Sequence, residues 1–331
     1  MDNITHTLTG LALSRAGFNR VVPQATLILL LAANAPDIDV VTALGGSLSY
    51  LNWHRDVTHS VVGVPLVAML PVLIARLVAR RPISWLACYL VSLAGAATNP
   101  LLDWTNAYGV RLLAPFSREW FQGGFTHIFD VWIWTVLGLA FVWPPLSRLV
   151  MSEIGAKATP GRGLAIFALC FVAAYNAGRY TMHERAVAVL DSRIYAGAAP
   201  LRVAAFPGAF NPFRWSGIVE GESFWSIHEL NLLEEFDSTQ GKTLYKPEPS
   251  PAMEAARRTP EFQQFLQFAQ YVYWRLTPLD APEGAQRVEA IDLRFGPPWA
   301  ARSVATAVVL AGERVESEGV RFGAGDQRRR R

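Results

Sequence analysis

The chain has 331 residues, 51% of them hydrophobic and only 17% charged, and its mean hydropathy is positive. Average soluble domains carry about 25% charged residues, so this composition excludes an ordinary large soluble protein and points to an integral membrane protein. A formal net charge of +3 is too small to argue for nucleic-acid binding, and the terminal arginine run reads as a short solvated tail.

In chain order, the first apolar segment (residues 4–18) is short for a span, which needs roughly 20 residues, and suits a tilted or re-entrant helix. The second runs from 21 to 35 and is stopped by Pro36. Further apolar stretches cover 61–79, 83–102, 126–147 and 163–182. Cys88 and Cys170 fall inside these stretches and read as small hydrophobes, not a disulfide or a metal pair. No Lys or Arg precedes Arg15, so the start does not look like a secretory leader. Arg15 and Arg20, then Arg76, Arg80 and Arg81, then Arg148, Lys157 and Arg162 lie in alternate connections. With six crossings, these connections share one side, which the positive-inside tendency makes cytoplasmic. Arg55, Arg111 and Arg118 on the other side weaken that bias.

After about residue 185 the pattern changes. LRVAAF, WSGIVEGESFWSIHEL and ARSVATAVVL read as strands, and residues 261–276 read as an amphipathic or buried helix. The expected architecture is an α-helical integral membrane domain of about five to six membrane helices (1–185), followed by a small soluble α+β domain (186–331).

Polar groups that carry chemistry sit at the edges of the apolar stretches, never at their middles. Tracing the chain up and down places His6, Asp37, His54, His59, Asp103 and His127 or Asp130 at one membrane surface. Imidazoles and carboxylates converging at one level suit a divalent metal, zinc first and manganese as the alternative. PDID (36–39) follows the second stretch; Asp37 is the ligand candidate, and Asp39 either a second ligand or the group that orients a histidine. In HRDVTHS (54–60), His54 approaches from the loop, and His59 projects from the first turn of a helix that Thr58 or Ser60 caps. Arg55 suits an anionic group. Asn99 and Asp103 share one helical face. Of His127 and Asp130, one can ligate while the other orients it; the bland alternative is that Asp130 stabilises a helix N-terminus. His183 and His228 lack such neighbours.

THTLTG at the start, PDID, HRDVTHS and LLDWTNAYGVRLLAPFS together resemble the LexA-regulated, membrane-bound, metal-dependent hydrolases of the YdjM family, over about the first 130 residues. PGAFNPFRWSGIVEGESF (207–224) is similar to a stretch found late in related membrane proteins. The resemblance implies that His6, Asp37, His54, His59 and Asp103 belong to a metal site. It also implies a distant kinship with zinc-dependent phospholipases C and single-strand nucleases, and so phosphoester hydrolysis. Where the family often has His four residues before the later Asp, this chain has Asn99, so a ligand is lost or replaced, His127 and Asp130 being the candidates.

The expectation is a hydrolase of the bacterial inner membrane with its site on the non-cytoplasmic side. Asp39 or Asp130 would be the general base and Arg55 the oxyanion stabiliser. Its partners would be the lipid bilayer and a small-molecule or lipid ester, with no nucleic acid. The rival is a membrane protein that binds metal or substrate without hydrolysis, in transport or scaffolding. Transport favours ionisable residues at mid-membrane, which these stretches lack.

Overall fold

The computed structural model describes residues 1–79, 82–153 and 161–322, and of 148–153 the backbone only. Arg80, Arg81, Lys157 and the terminal arginine run, used above, lie outside the described residues, as does the side chain of Arg148. The helices are α1 (Asn3–Ala16), α2 (Ala25–Ala32), α3 (Ser47–Trp53), α4 (Gly63–Val67), α5 (Met69–Val78), α6 (Trp85–Trp104), α7 (Val131–Glu153), α8 (Arg162–Asp191), α9 (Pro251–Arg257) and α10 (Pro260–Phe268). Contacts divide the chain into two compact units. The first holds Met1–Asp39, Arg55–Arg185 and Phe206–Trp215; the second holds Val40–His54, Ala186–Ala205 and the chain from Ser216 onward.

In the first unit, Asp2 starts α1 by accepting from the Ile4 and Thr5 amides, and Gly17 ends it. Small residues then let backbones approach, as in membrane helix pairs. A Cβ on Gly10 would lie 2.5 Å from the Leu29 carbonyl oxygen, and one on Gly95 would lie 3.0 Å from Leu29 Cδ2 and 3.1 Å from Ala32 Cβ. The contacts of α1 with the α2 segment run in opposite order: Ser14 Oγ lies 2.7 Å from Thr26 Oγ1, and Asn34 Nδ2 donates to Thr7 Oγ1 at 3.0 Å. Those of α6 advance with α2, since Asn99, one turn beyond Gly95, donates to the Ala33 carbonyl. The start of α1, the end of α2 and the end of α6 therefore meet. The apolar interior is built in patches: Val22, Ala25, Ile28, Leu29, Val72, Ala75, Cys88 and Val91 form one, and Ala12, Leu102, Ile133, Leu137, Ala140, Ala168 and Val172 are the body of another.

Among the described residues two helices, α6 and α8, are long and apolar enough to cross a membrane. The number rises to four if Ala25–Ala32 with Pro36–Gly45, and Ser47–His59 with Gly63–Val78, each count as one broken span. That is fewer than the five to six expected. At 14 residues, α1 is about 21 Å long, short of the roughly 30 Å hydrocarbon core. The second and third apolar stretches are broken by short helices and 3-10 turns. Leu77, Leu86, Leu139 and Phe167 nonetheless present their side chains outward, the arrangement a lipid solvent rewards.

The second unit is built on strands β1 (Arg202–Pro207), β2 (Arg214–Glu220), β3 (Phe224–Asn231), β4 (Lys242–Tyr245), β5 (Val272–Pro278), β6 (Gln286–Asp292), β7 (Ser303–Val309) and β8 (Val315–Phe322), with part of β1 and β2 counted in the first. They form two four-stranded sheets in sequential order, β1-β2-β3-β4 and β5-β6-β7-β8. The expected strands fall in β1, β2, β3 and β7. The helix expected over 261–276 is half correct. α10 buries Phe262, Phe265 and Phe268, but Val272, Tyr273 and Trp274 open β5 and pair with Asp292, Ile291 and Ala290. The aromatic and β-branched run takes the pleat because a partner strand is there to receive it.

Candidate metal centre

Asp37 stands in the 3-10 segment after α2, His59 closes the 3-10 turn Val57–His59, and Asp103 lies in the last turn of α6. One ligand atom from each lies within 4.8 Å of the other two, and all three residues are buried. His59 Nε2 is 3.4 Å from Asp37 Oδ1 and 3.4 Å from Asp103 Oδ2, and His6 Nε2 is 3.4 Å from Asp103 Oδ1. Zinc bonds of 2.0–2.2 Å put neighbouring ligands of a tetrahedron about 3.3–3.6 Å apart, so these separations fit an ion between the groups. Neither ring nitrogen of His6 makes a hydrogen bond among the described residues, and neither does Asp103 Oδ2, whereas Asp103 Oδ1 is met by the Arg55 guanidinium and the Met1 amine. Buried polar atoms without hydrogen bonds are rare and ask for a partner. The residues present fit a metal. His6 stands beside Asp103, outside the triangle itself.

Around the triangle the polar groups are organised. Asp39 Oδ2 accepts from the Arg55 amide at 2.8 Å and from Thr58 Oγ1 at 2.7 Å, and lies 3.3 Å from His59 Nδ1. His59 thus presents Nδ1 to one carboxylate and Nε2 to two others, the arrangement by which an outer carboxylate orients a metal-binding histidine. Asn99 Nδ2 donates to Asp37 Oδ2 at 2.7 Å and to the Ala33 carbonyl at 2.9 Å. The Arg55 guanidinium lies 2.8 Å from Asp103 Oδ1, donates to the Met1 carbonyl at 3.1 Å, and sits 4.8 Å from the Tyr108 ring centroid. Its φ of 59° is left-handed, a conformation that costs a non-glycine residue about 1–2 kcal/mol and that clusters at functional sites.

Electrostatically, three buried carboxylates (Asp37, Asp39, Asp103) face one guanidinium, Arg55. Three negative charges against one positive leave an excess of two among the side chains.

The remaining candidates are not members of that triangle. His54 belongs to the second unit, where it caps α3 and stacks on Tyr50 with ring centroids 4.3 Å apart. His127 is half-buried, and its Nδ1 accepts from the Phe129 amide at 3.2 Å. Asp130 accepts from the Trp132 and Ile133 amides at the start of α7 and from the Tyr175 hydroxyl. It is used as a helix cap and is not among the residues grouped at the centre. Two expectations for the 54–60 loop divide differently. His59 ends a 3-10 turn instead of opening a helix, whereas Ser60 Oγ does accept from the Gly63 amide at the start of α4.

Sequence reasoning missed the support around Arg55. Asn106 Oδ1 accepts from the amides of Tyr108 and Gly109 and from Arg55 Nη1, and Gly109 takes a φ of +81°. The signal was legible as an Asx turn in N-A-Y-G, but its tie to Arg55 depends on tertiary contact. The buried pair of Arg111 and Asp56, 3.3 Å apart, also went unread.

Apolar helices long enough to span a bilayer, with buried histidine and carboxylates converging at helix ends in a geometry able to hold a metal ion, define the class as a helical membrane protein. The match to the family described as YdjM inner membrane protein covers residues 1–186, more than half of the chain, and the chain belongs to that family. It is therefore an inner membrane protein. A Bacillus subtilis (strain 168) protein described as "Uncharacterized protein YfhP" is 31% identical over 141 residues, 40% of this chain and 43% of that relative. The chain thus spans less than half the length of that relative. No solved structure matches.

Proposed function

We propose that the protein is a membrane-bound, metal-dependent hydrolase acting on an ester or phosphoester near the membrane surface. The observation that supports this best is the buried Asp37–His59–Asp103 triangle, its members 3.4 Å apart across His59 Nε2, with unbonded His6 nitrogens beside it. Asp37, His59 and Asp103 would hold the ion, His6 would join them, and His54 is kept as a ligand candidate on the family motif alone. Zinc suits the histidine and carboxylate set, with manganese the alternative. When bound, such an ion supplies Lewis acidity and lowers the pKa of a water toward neutrality.

The chain's own groups would do the rest. Asp39 holds His59 by its Nδ1 side and fixes the Arg55 backbone. Arg55 places a permanent positive charge beside Asp103, where a developing oxyanion would be stabilised. Asp39 also stands as the general-base candidate; Asp130, bonded into the start of α7, is the weaker one. In this reading residues 1–185 are the membrane part and 186–331 an extramembrane domain, with the metal site and that domain on the non-cytoplasmic side.

Elemental mass spectrometry of the detergent-purified protein tests this, beside His59→Ala, Asp103→Asn and His54→Ala. Stoichiometric metal lost in His59→Ala and Asp103→Asn, together with phosphoesterase or esterase activity lost in parallel, supports the reading. Metal without any hydrolysis would move the protein to the binding or transport class, and no metal after reconstitution would sink the centre itself.

A further inference from the structure

The opposite end of the first unit carries a second polar site, independent of the metal reading. Arg15 ends α1, Arg20 follows in the next turn, and Arg162 begins α8. All three line one hollow of about 380 Å³, with Asn19 and the Pro144–Pro145 step of α7 completing it. The volume falls in the range of ligand clefts, roughly 300–1,000 Å³. Among the described residues no carboxylate lines the hollow and none of the three guanidinium groups is in an ion pair. Arg15 lies 4.6 Å from the Phe141 ring centroid, and Arg162 Nε donates to the Ala16 carbonyl at 2.8 Å. Two of the three are thus held in place by contacts that leave their charge uncompensated. Converged like charges repel unless an anion joins them.

What that anion is follows from position. α8 is one of the two helices fit to cross a membrane, and the hollow lies at its first turn. Trp143 and Phe167, close in sequence to the hollow, are more than half exposed, as side chains at the headgroup and acyl level of a bilayer are. Guanidinium groups match phosphate oxygens bidentately, and basic pockets between membrane helices accept anionic headgroups. We propose that this hollow binds the phosphate of an anionic membrane lipid, with Arg15, Arg20 and Arg162 as its donors. α1 spans the distance between this hollow and the carboxylate cluster: His6 to Arg15 is nine residues, or about 14 Å along the axis. Headgroup occupancy would therefore brace the helix that carries His6.

The test uses full-length protein in neutral detergent and native mass spectrometry, titrating phosphatidylglycerol, phosphatidylcholine and inorganic phosphate separately. Arg20→Gln is the first variant, because the Arg20 side chain makes no hydrogen bond or ring contact among the described residues, so its loss is expected to leave the fold intact. Arg15→Gln/Arg20→Gln follows, with Arg20→Lys as the conservative variant. Each guanidinium near the surface is expected to contribute about fivefold in affinity, so the double variant should weaken phosphatidylglycerol binding by about 25-fold. Arg20→Lys should retain most of it, and phosphatidylcholine should bind weakly throughout. Equal phosphatidylglycerol affinity in wild type and double variant, at unchanged thermal midpoint, overturns the proposal. Equal affinity of the wild type for phosphatidylcholine overturns it too. Should inorganic phosphate bind as tightly as the lipid and vanish in the variants, the lipid source is overturned and a free-anion site stands in its place.

Discussion

Asn99 stands one turn before Asp103 on α6, and its replacement by alanine is the most discriminating perturbation of the proposed centre. The side chain is fully buried. Its Nδ2 donates to Asp37 Oδ2 at 2.7 Å and to the Ala33 carbonyl at 2.9 Å. Asn99→Ala removes both donors and leaves two buried acceptors short of a partner. A hydrogen bond to a charged group is worth about 1.5–3 kcal/mol and one to a neutral carbonyl about 0.5–1.5 kcal/mol, so the expected loss is about 2–4.5 kcal/mol. The same change frees the Asp37 carboxylate to rotate. Residues that orient a metal ligand typically shift affinity by about 10- to 100-fold, and a zinc Kd weakened within that range is the expected outcome. Competition against a chromophoric chelator measures the Kd, and thermal unfolding in the same detergent measures the stability. Asn99→His should bind at least as tightly as the wild type, because an imidazole there adds a ligand. A zinc Kd unchanged in Asn99→Ala, with only the thermal midpoint lowered, would refute the reasoning and reduce Asn99 to a packing residue.

Three further outcomes follow from the same structure. Gly10→Val should destabilise the first unit by about 1–3 kcal/mol through overpacking, since its Cβ would meet the Leu29 carbonyl oxygen at 2.5 Å; thermal unfolding and metal content should fall together. Arg111→Ala strips the partner from buried Asp56 and a cation from the Trp120 face, at a cost of about 3–5 kcal/mol, and Asp56→Asn in the same chain should restore part of the lost thermal midpoint. In the second unit, burial pushes the His228 imidazole down to about 4, while Ser226 Oγ lies 2.8 Å from its Nε2. The unfolded chain then takes up the proton first, so this residue's contribution is complete above the ordinary histidine value near 6.5 and is lost as pH falls toward 4. Unfolding midpoints at pH 7.5 and 4.5 should differ less in His228→Gln than in the wild type; an equal difference in both would rule His228 out as a source of acid sensitivity.

The centre was more legible than the spans, for a physical reason. Asp37, His59 and Asp103 are costly groups beside hydrocarbon, and such groups persist only where they are paired or used, so each stood out at the edge of an apolar run. What sequence could not supply was the pairing. That Asp39 addresses Nδ1 of His59 while Asp37 and Asp103 address Nε2 depends on the 3-10 turns at 36–45 and 57–59, which hydrophobic periodicity does not encode. The span count suffered from the same blindness. Residues 61–79 read as one apolar run, yet α4 and α5 divide it. Similarly, Val272 and the residues after it extend an apolar pattern that suited a helix until β6 offered them a partner. Local propensity decided α10 and tertiary pairing decided β5.

The two ends of α1 tie these observations together. Its first turn is capped by the Asp2 carboxylate and carries His6 beside Asp103; its last turn carries Arg15. Carboxylates at a helix N-terminus and cations at its C-terminus each complement the macrodipole, by about 0.3–1 kcal/mol in exposed settings, so the short helix is electrostatically matched to both of its surroundings. Close backbone contact through Gly10 then leaves α1 little freedom to slide against α2. A ligand that orders one end of such a helix narrows the positions open to the other. If the arginine hollow and the carboxylate cluster both take their ligands, anionic lipid should tighten zinc binding, and by linkage zinc should tighten lipid binding by the same factor. Measuring the zinc Kd with phosphatidylglycerol and with phosphatidylcholine tests this directly: equal values would show that α1 holds two independent sites.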